Sequence, residues 1–306
     1  MKAFTSTYIK NSFVGPIQKG APASVNLVED IDSVNSKNNM QNYTKELNLP
    51  ISCFIKPTNE KNKYYIRYYI KDQEEPICGH GTLVVTQFLI DNKLISDQTV
   101  KVEFIPLLTP EKPIISYIDK NLVSINIKTI KPIHIDINSE VGKKIINSIS
   151  KSNKINIKNY IIDIVEGELD YIVELGKFDN NLSSLEIIKS IIPDFDEIEK
   201  IKLKSGRLCR GVDVFIQNYE KNNEDEEDFI TRVFLPLGAD EKYKEDPACG
   251  SASSFITRYL IEKYPKYKGK TLKLYQASED GALIVVRNEN DEIIRVSGEV
   301  KKINWK

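Results

Sequence analysis

Residues 74–90, EEPICGHGTLVVTQFLI, and residues 245–261, EDPACGSASSFITRYLI, align without a gap, and seven of the seventeen positions are identical. Glu74 matches Glu245, Pro76 matches Pro247, Cys78 matches Cys249 and Gly79 matches Gly250. Thr86, Leu89 and Ile90 match Thr257, Leu260 and Ile261. The offset of 171 residues is far longer than a solenoid period. Two copies at that separation are expected of two related halves. Each half then carries an acidic-Pro turn, a Cys-Gly pair, small residues and a helix.

Around these segments the chain is rich in strand patterns. Residues 25–28, 51–55, 64–70 and 100–105 read as strands, with helices over 40–47 and 82–90. Further along, strands are expected over 115–118, 123–127, 160–165, 171–175, 211–217, 229–235, 272–275, 283–287 and 293–297. Helices are expected over 182–192 and 255–264, the second stopped by Pro265. The acidic run 220–228 reads as a solvated hairpin loop. The pattern predicts an α/β (α+β) chain with two similar lobes. The first covers 1–110, the second 111–285, and closing strands over 286–306 return to the first lobe.

Composition narrows the function classes. The 306 residues include 43 basic and 44 acidic side chains, and this balance argues against a nucleic-acid partner. No apolar run approaches the ~18–20 residues of a bilayer span. The first residues lack the apolar centre of a secretory signal, so a cytoplasmic protein is expected. There Cys53, Cys78, Cys209 and Cys249 are expected as thiols. The cysteines form no C-x-x-C unit and the only histidines are His80 and His134, so no metal is expected.

The duplicated helix starts have a specific chemistry. N–H groups in a first helical turn lack intrahelical partners, and the dipole places about half a positive charge there. Gly79, His80 and Gly81 supply such donors in one copy, and Gly250, Ser251 and Ala252 in the other. Two such ends converging would cradle a carboxylate. The same setting lowers a thiol's pKa from its free value of ~8.5. Cys78 and Cys249 on two faces of one carbon would then act as base and acid, with the donors stabilising an enediolate. Cys53 and Cys209 lie in strand-like contexts and read as small core residues.

These residues resemble the phenazine-biosynthesis F-like isomerases, of the diaminopimelate epimerase and proline racemase fold group. Residues 20–25, GAPASV, are similar to that family's G-N-P-A-A-V, and 46–49, ELNL, to its E-M-N-L. EPICGHGT at 75–82 is similar to E-x-P-x-C-G-H-A-T. Arg232-Val233-Phe234 followed by EDPACGSA at 245–252 is similar to R-x-F and E-D-P-x-T-G-S-A. The resemblance implies two lobes, each a sheet or barrel wrapped around a central helix, and a reaction without cofactor. It implies a monomer or homodimer acting on a small carboxylate-bearing substrate. Ile51 stands where the phenazine enzyme has its proton-shuttling Glu, whereas His80, Asp246 and Ser251 match its other site positions. Gly81 and Cys249 bring the motifs closer to two-cysteine racemases.

Three readings follow. The first is a racemase or epimerase using Cys78 and Cys249, with Gly79, His80, Gly81, Gly250, Ser251 and Ala252 around the substrate carboxylate. The second is a double-bond or proton-shift isomerase using Asp246 and His80. The third is a small-acid-binding protein without catalysis.

Overall fold

A computed structural model describes residues 8–71, 73–119, 122–151, 155–178, 182–236 and 244–302. The chain divides into two compact units, residues 1–126 with 296–306, and residues 127–295. These boundaries lie further along the chain than the expected 110 and 285.

The first unit contains β1 (Tyr8–Val14), β2 (Ala21–Leu27), α1 (Val34–Leu47), β3 (Ser52–Pro57), β4 (Lys63–Tyr69), β5 (Glu74–Glu75), α2 (Gly79–Asp91), β6 (Lys101–Pro106), β7 (Ile114–Asp119) and most of β8 (Leu122–Lys128). The strands pair in the order β1-β2-β3-β4-β6-β7-β8 and then onto the last strand of the chain, β16 (Ile293–Lys301). β16 pairs in turn with β1, Asn11 opposite Lys301 and Ser12 opposite Val300, which closes an eight-stranded barrel. β7 and β8, which match the strands expected over 115–118 and 123–127, belong to this barrel.

α2 packs against β1, β2, β3 and β7. Its residues from Gly81 to Thr86 are all buried, as a helix enclosed by strands requires. It begins before residue 82, where the apolar pattern starts. Gly, His and Gly are poor helix formers and hide the first turn from sequence periodicity. α6 in the second unit begins early for the same reason.

The second unit contains β9 (Ile133–His134), α3 (Glu140–Ile149), β10 (Ile161–Glu166), β11 (Asp170–Leu175), α4 (Ser184–Lys189), α5 (Phe195–Ile198), β12 (Gly211–Gln217), β13 (Phe229–Phe234), α6 (Gly250–Lys263), β14 (Thr271–Gln276) and β15 (Ala282–Asn288). Its sheet runs β9-β10-β11-β12-β13-β14-β15. One face, with Val173, Val212, Val214 and Ile216, packs against Ile145, Ile149, Ile187, Ile188 and Ile198 of α3, α4 and α5. The other face carries Phe215, whose ring meets Tyr259 of α6 edge-on at 5.9 Å.

The duplication extends through both units. From β1 to β7, leaving out β5, successive neighbours pair antiparallel, parallel, antiparallel, parallel, antiparallel. From β10 to β15 the sequence of pairings is the same. Each central helix fills the crossover between two parallel neighbours, as a parallel connection requires. Among the described residues no helix is long and apolar enough to cross a membrane.

Candidate active site

The two duplicated segments are anchored alike. Arg67 of β4 donates from Nη1 to Glu74 at 2.6 Å. Arg232 of β13 donates to Glu245 from Nε and Nη2, both at 2.7 Å. In α2 the Thr82 hydroxyl donates to the Cys78 carbonyl at 2.7 Å, and in α6 the Ser253 hydroxyl donates to the Cys249 carbonyl at 2.9 Å. One turn on, Thr86 donates to the Thr82 carbonyl at 2.9 Å and Thr257 to the Ser253 carbonyl at 2.8 Å.

The helix starts set α2 and α6 apart. Among the described residues the other α-helices open on a side chain that accepts from the first turn: Ser33 for α1, Ser139 for α3, Ser183 for α4 and Asp194 for α5. α2 and α6 open on Cys78 and Cys249, and neither thiol makes a capping bond. The first intrahelical bonds are Thr82 N–H to the Cys78 carbonyl at 3.0 Å and Ser253 N–H to the Cys249 carbonyl at 3.1 Å. The N–H groups of Gly79, His80 and Gly81, and of Gly250, Ser251 and Ala252, come before those bonds. They carry the positive end of each helix.

In the first unit, Cys78 Sγ lies 3.4 Å from His80 Nδ1, and both side chains are partly buried. A Cβ built on Gly81 would stand 2.8 Å from Cys53 Sγ, 3.4 Å from Cys78 Sγ and 3.4 Å from Ile51 Cγ2. Ile51, wholly enclosed, therefore presents a methyl group beside the thiols and no carboxylate. Cys53 is also wholly buried, and burial, with Cys78 nearby, pushes its thiol well above the ordinary range.

In the second unit, Cys249 Sγ lies 3.3 Å from Ser251 Oγ. Arg210 Nη2 donates to Ser251 Oγ at 3.0 Å and ends 4.0 Å from Cys249 Sγ. Asp170 holds this guanidinium by two contacts, Nε to Oδ1 at 2.9 Å and Nη2 to Oδ2. Burial pushes the Cys249 thiol up, Asp246 adds to the rise, and Arg210 opposes it. Cys249 N–H donates to Gln276 Oε1 at 2.7 Å, and Gln276 Nε2 donates to the Asp246 carbonyl. Asp246 Oδ1 accepts from Ala248 N–H at 2.8 Å, so this carboxylate shapes the turn before the thiol.

Sequence reasoning missed Arg210, Asp170, Gln276 and Asp213. Asp213 is wholly buried, and neither carboxyl oxygen has a hydrogen-bond partner among the described residues. Burial and then Asp170 push its pKa well above the carboxylate range, with Arg210 opposing. A carboxylate inside the apolar strand GVDVFIQ was a visible signal. Register places Asp213 where the first unit has Cys53. Each precedes by one step the residue opposite the anchoring Arg: Phe54 faces Arg67 with Cys53 facing Tyr68, and Val214 faces Arg232 with Asp213 facing Val233. Val233 packs with Cys249 and Ala252. Cys209 instead lies in the core beside α5, its thiol 3.8 Å from the Ile198 carbonyl. Two surface hollows, of about 420 and 390 Å³, lie away from both helix starts.

The family model for phenazine biosynthesis-like proteins matches residues 11–301. An uncharacterized isomerase of Halalkalibacterium halodurans is 26% identical over 294 residues, covering 94% of this chain and 93% of its own. The crystal structure of a phenazine biosynthesis protein of the PhzF family from Enterococcus faecalis matches with a TM-score of 0.73 at 23% identity, over 97% of this chain and 96% of that one. The crystal structure of a probable proline racemase from Agrobacterium radiobacter, with bound carbonate, matches with a TM-score of 0.53 at 10% identity, over 97% and 91% of the two chains.

Proposed function

The chain belongs to the phenazine biosynthesis-like family and is an isomerase, and we propose that it moves a proton at a carbon alpha to a carboxylate with Cys78 and Cys249 as acid–base pair. The observation that carries this reading is the pair of helix starts that open on a thiol where the other α-helices among the described residues open on a cap. Their N–H groups, with His80 and Ser251, would hold the substrate carboxylate and the charge that grows on it as the proton leaves.

The two thiols differ in setting, and that assigns the first direction of reaction. Cys78 passes its proton to His80, and the thiolate takes the substrate proton. Cys249, kept protonated by burial, returns a proton to the carbon. The thiolate left on Cys249 is then balanced by Arg210. The reverse reaction exchanges the roles, with Arg210 favouring the Cys249 thiolate that starts it. No group beyond the chain's own side chains and amides enters these steps. The four thiols suit a reducing cytoplasm.

The experiment is proton exchange in D2O with a panel of small α-amino and α-hydroxy acids, read by loss of the Cα–H signal in NMR. Cys78→Ala and Cys249→Ala are expected to abolish exchange. Full exchange in both variants would overturn the thiol mechanism. The alternative through Asp246 and His80 predicts that Asp246→Asn does more damage than Cys249→Ser. The engagement of Asp246 with the Ala248 amide favours the opposite order.

A further inference from the structure

We propose that Cys53 and Cys78 form a redox pair, in which a hydroperoxide oxidises Cys78 and Cys53 then closes a disulfide onto it. The geometry starts from Gly81. The position of its absent Cβ is 2.8 Å from Cys53 Sγ and 3.4 Å from Cys78 Sγ, so the sulfurs are closer than those two lengths laid end to end. Residue 81 puts no side chain between them. A disulfide holds its sulfurs at about 2.0 Å. Closing the gap takes rotation about the two Cα–Cβ bonds and a shift of the helix start.

The two thiols divide the labour. Cys78 is partly exposed, sits at a positive helix end and lies against His80, the setting of a reactive thiolate. Cys53 is wholly enclosed in β3 beneath it and waits as a thiol. In the first step the Cys78 thiolate attacks one peroxide oxygen. An S–O bond forms, the O–O bond breaks, and hydroxide or alkoxide leaves as the sulfur loses two electrons to the peroxide. In the second step the Cys53 sulfur attacks the sulfenic sulfur of Cys78. An S–S bond forms, the S–O bond breaks, and the departing hydroxide takes the Cys53 proton and leaves as water.

The second unit supplies an internal comparison. At the register position of Cys53 it carries Asp213, so no thiol waits beneath Cys249. Cys249 is also only 4% exposed, which limits its access to an oxidant. Disulfide formation is therefore confined to the first unit. Its consequence for catalysis rests on the role of Cys78 given above, because a sulfur in a disulfide takes no proton.

The test uses the full chain and a small molar excess of hydrogen peroxide. Thiols are blocked with N-ethylmaleimide under denaturing conditions, and the unreduced digest is mapped by mass spectrometry. The expected product is a Cys53–Cys78 linked peptide, with the whole chain lighter by two hydrogens and restored by dithiothreitol. Cys209 and Cys249 are expected to carry the blocking group. In Cys53→Ala, Cys78 is expected to advance to the sulfinic acid, which dithiothreitol does not restore. Oxidised Cys78 together with maleimide-labelled Cys53 in the wild-type chain would overturn the pair, whether or not the variant folds. Proton exchange measured on the same samples is expected to fall in proportion to the linked fraction. Linkage with full exchange would uphold the redox pair and sink the role of Cys78 as base.

Discussion

Arg210 Nη2 ends 4.0 Å from the sulfur of Cys249, and its charge pulls this thiol's pKa down against burial and the carboxyl groups of Asp246, Asp213 and Asp170. Asp170 fixes the guanidinium, and Ser251 Oγ also accepts from it.

Removing that charge separates its two roles. Arg210→Met leaves Asp170, which is 5% exposed, without its partner. The cost is about 2–3 kcal/mol, discounted because the Arg side chain is partly exposed. Arg210→Met/Asp170→Leu should recover most of this stability in chemical denaturation. Alkylation of Cys249 should stay slow in both variants. Wild-type labelling rates in Arg210→Met alone would refute the electrostatic role of Arg210, because Asp170→Leu also removes a carboxyl group that raises the thiol.

The pH response of Cys249 follows from the same balance. Its thiol is held above the ordinary range by burial first and Asp246 second. The reactive thiolate therefore keeps increasing with pH after a free thiol, of pKa ~8.5, has levelled off. Iodoacetamide labelling at Cys249, followed by mass spectrometry, should still be rising above about pH 9. A plateau below that pH would contradict the assignment of Cys249 as the protonated partner.

Asp213 makes stability depend on pH with a definite sign. Its unfolded pKa is ~3.9 and its folded value lies well above it. Between the two, the folded chain keeps a proton that the unfolded chain has lost. Stability from this residue is thus full below about pH 4 and declines by up to ~1.4 kcal/mol per pH unit as pH rises toward the folded value. Asp213→Asn should remove that slope and raise the denaturation midpoint at pH 7. An unchanged pH profile in the variant would show that Asp213 is charged or solvated in the fold.

Gly81 offers a test of packing beneath the first thiol. An added methyl group would lie 2.8 Å from Cys53 Sγ, closer than carbon and sulfur allow. Gly81→Ala should lose about 1–3 kcal/mol to overpacking, more than the helix gains from alanine. Cys53→Ala empties the contested space, so the double variant should recover most of the loss. Additive losses in the double-mutant cycle would place the strain elsewhere.

Much of this arrangement was legible in the duplicated segment. Cys78, His80, Cys249 and Ser251 could be placed at helix starts because acidic-Pro turns, glycines and an apolar run mark such starts locally. β1 was missed because Asn11 and Ser12 interrupt the alternation although both are wholly buried. The Asn11 side-chain N–H donates to the Lys19 carbonyl at 2.9 Å, and its Oδ1 has no partner among the described residues. The Arg210–Asp170 contact spans strands whose register is set by pairing, Asp170 opposite Gly211, and no local pattern reports it. The equivalence of Cys53 and Asp213 is likewise a matter of register, since the two residues share neither chemistry nor neighbouring sequence.

The closure of the first barrel by β16 sets an order of events during synthesis. A ribosome delivers residues 1–126 long before residues 296–301, and until then β1 and β8 are open edges with unpaired amides. The earliest-made unit is therefore the last to be completed. A fragment ending at residue 126 would carry Cys78 on an unfinished barrel prone to association.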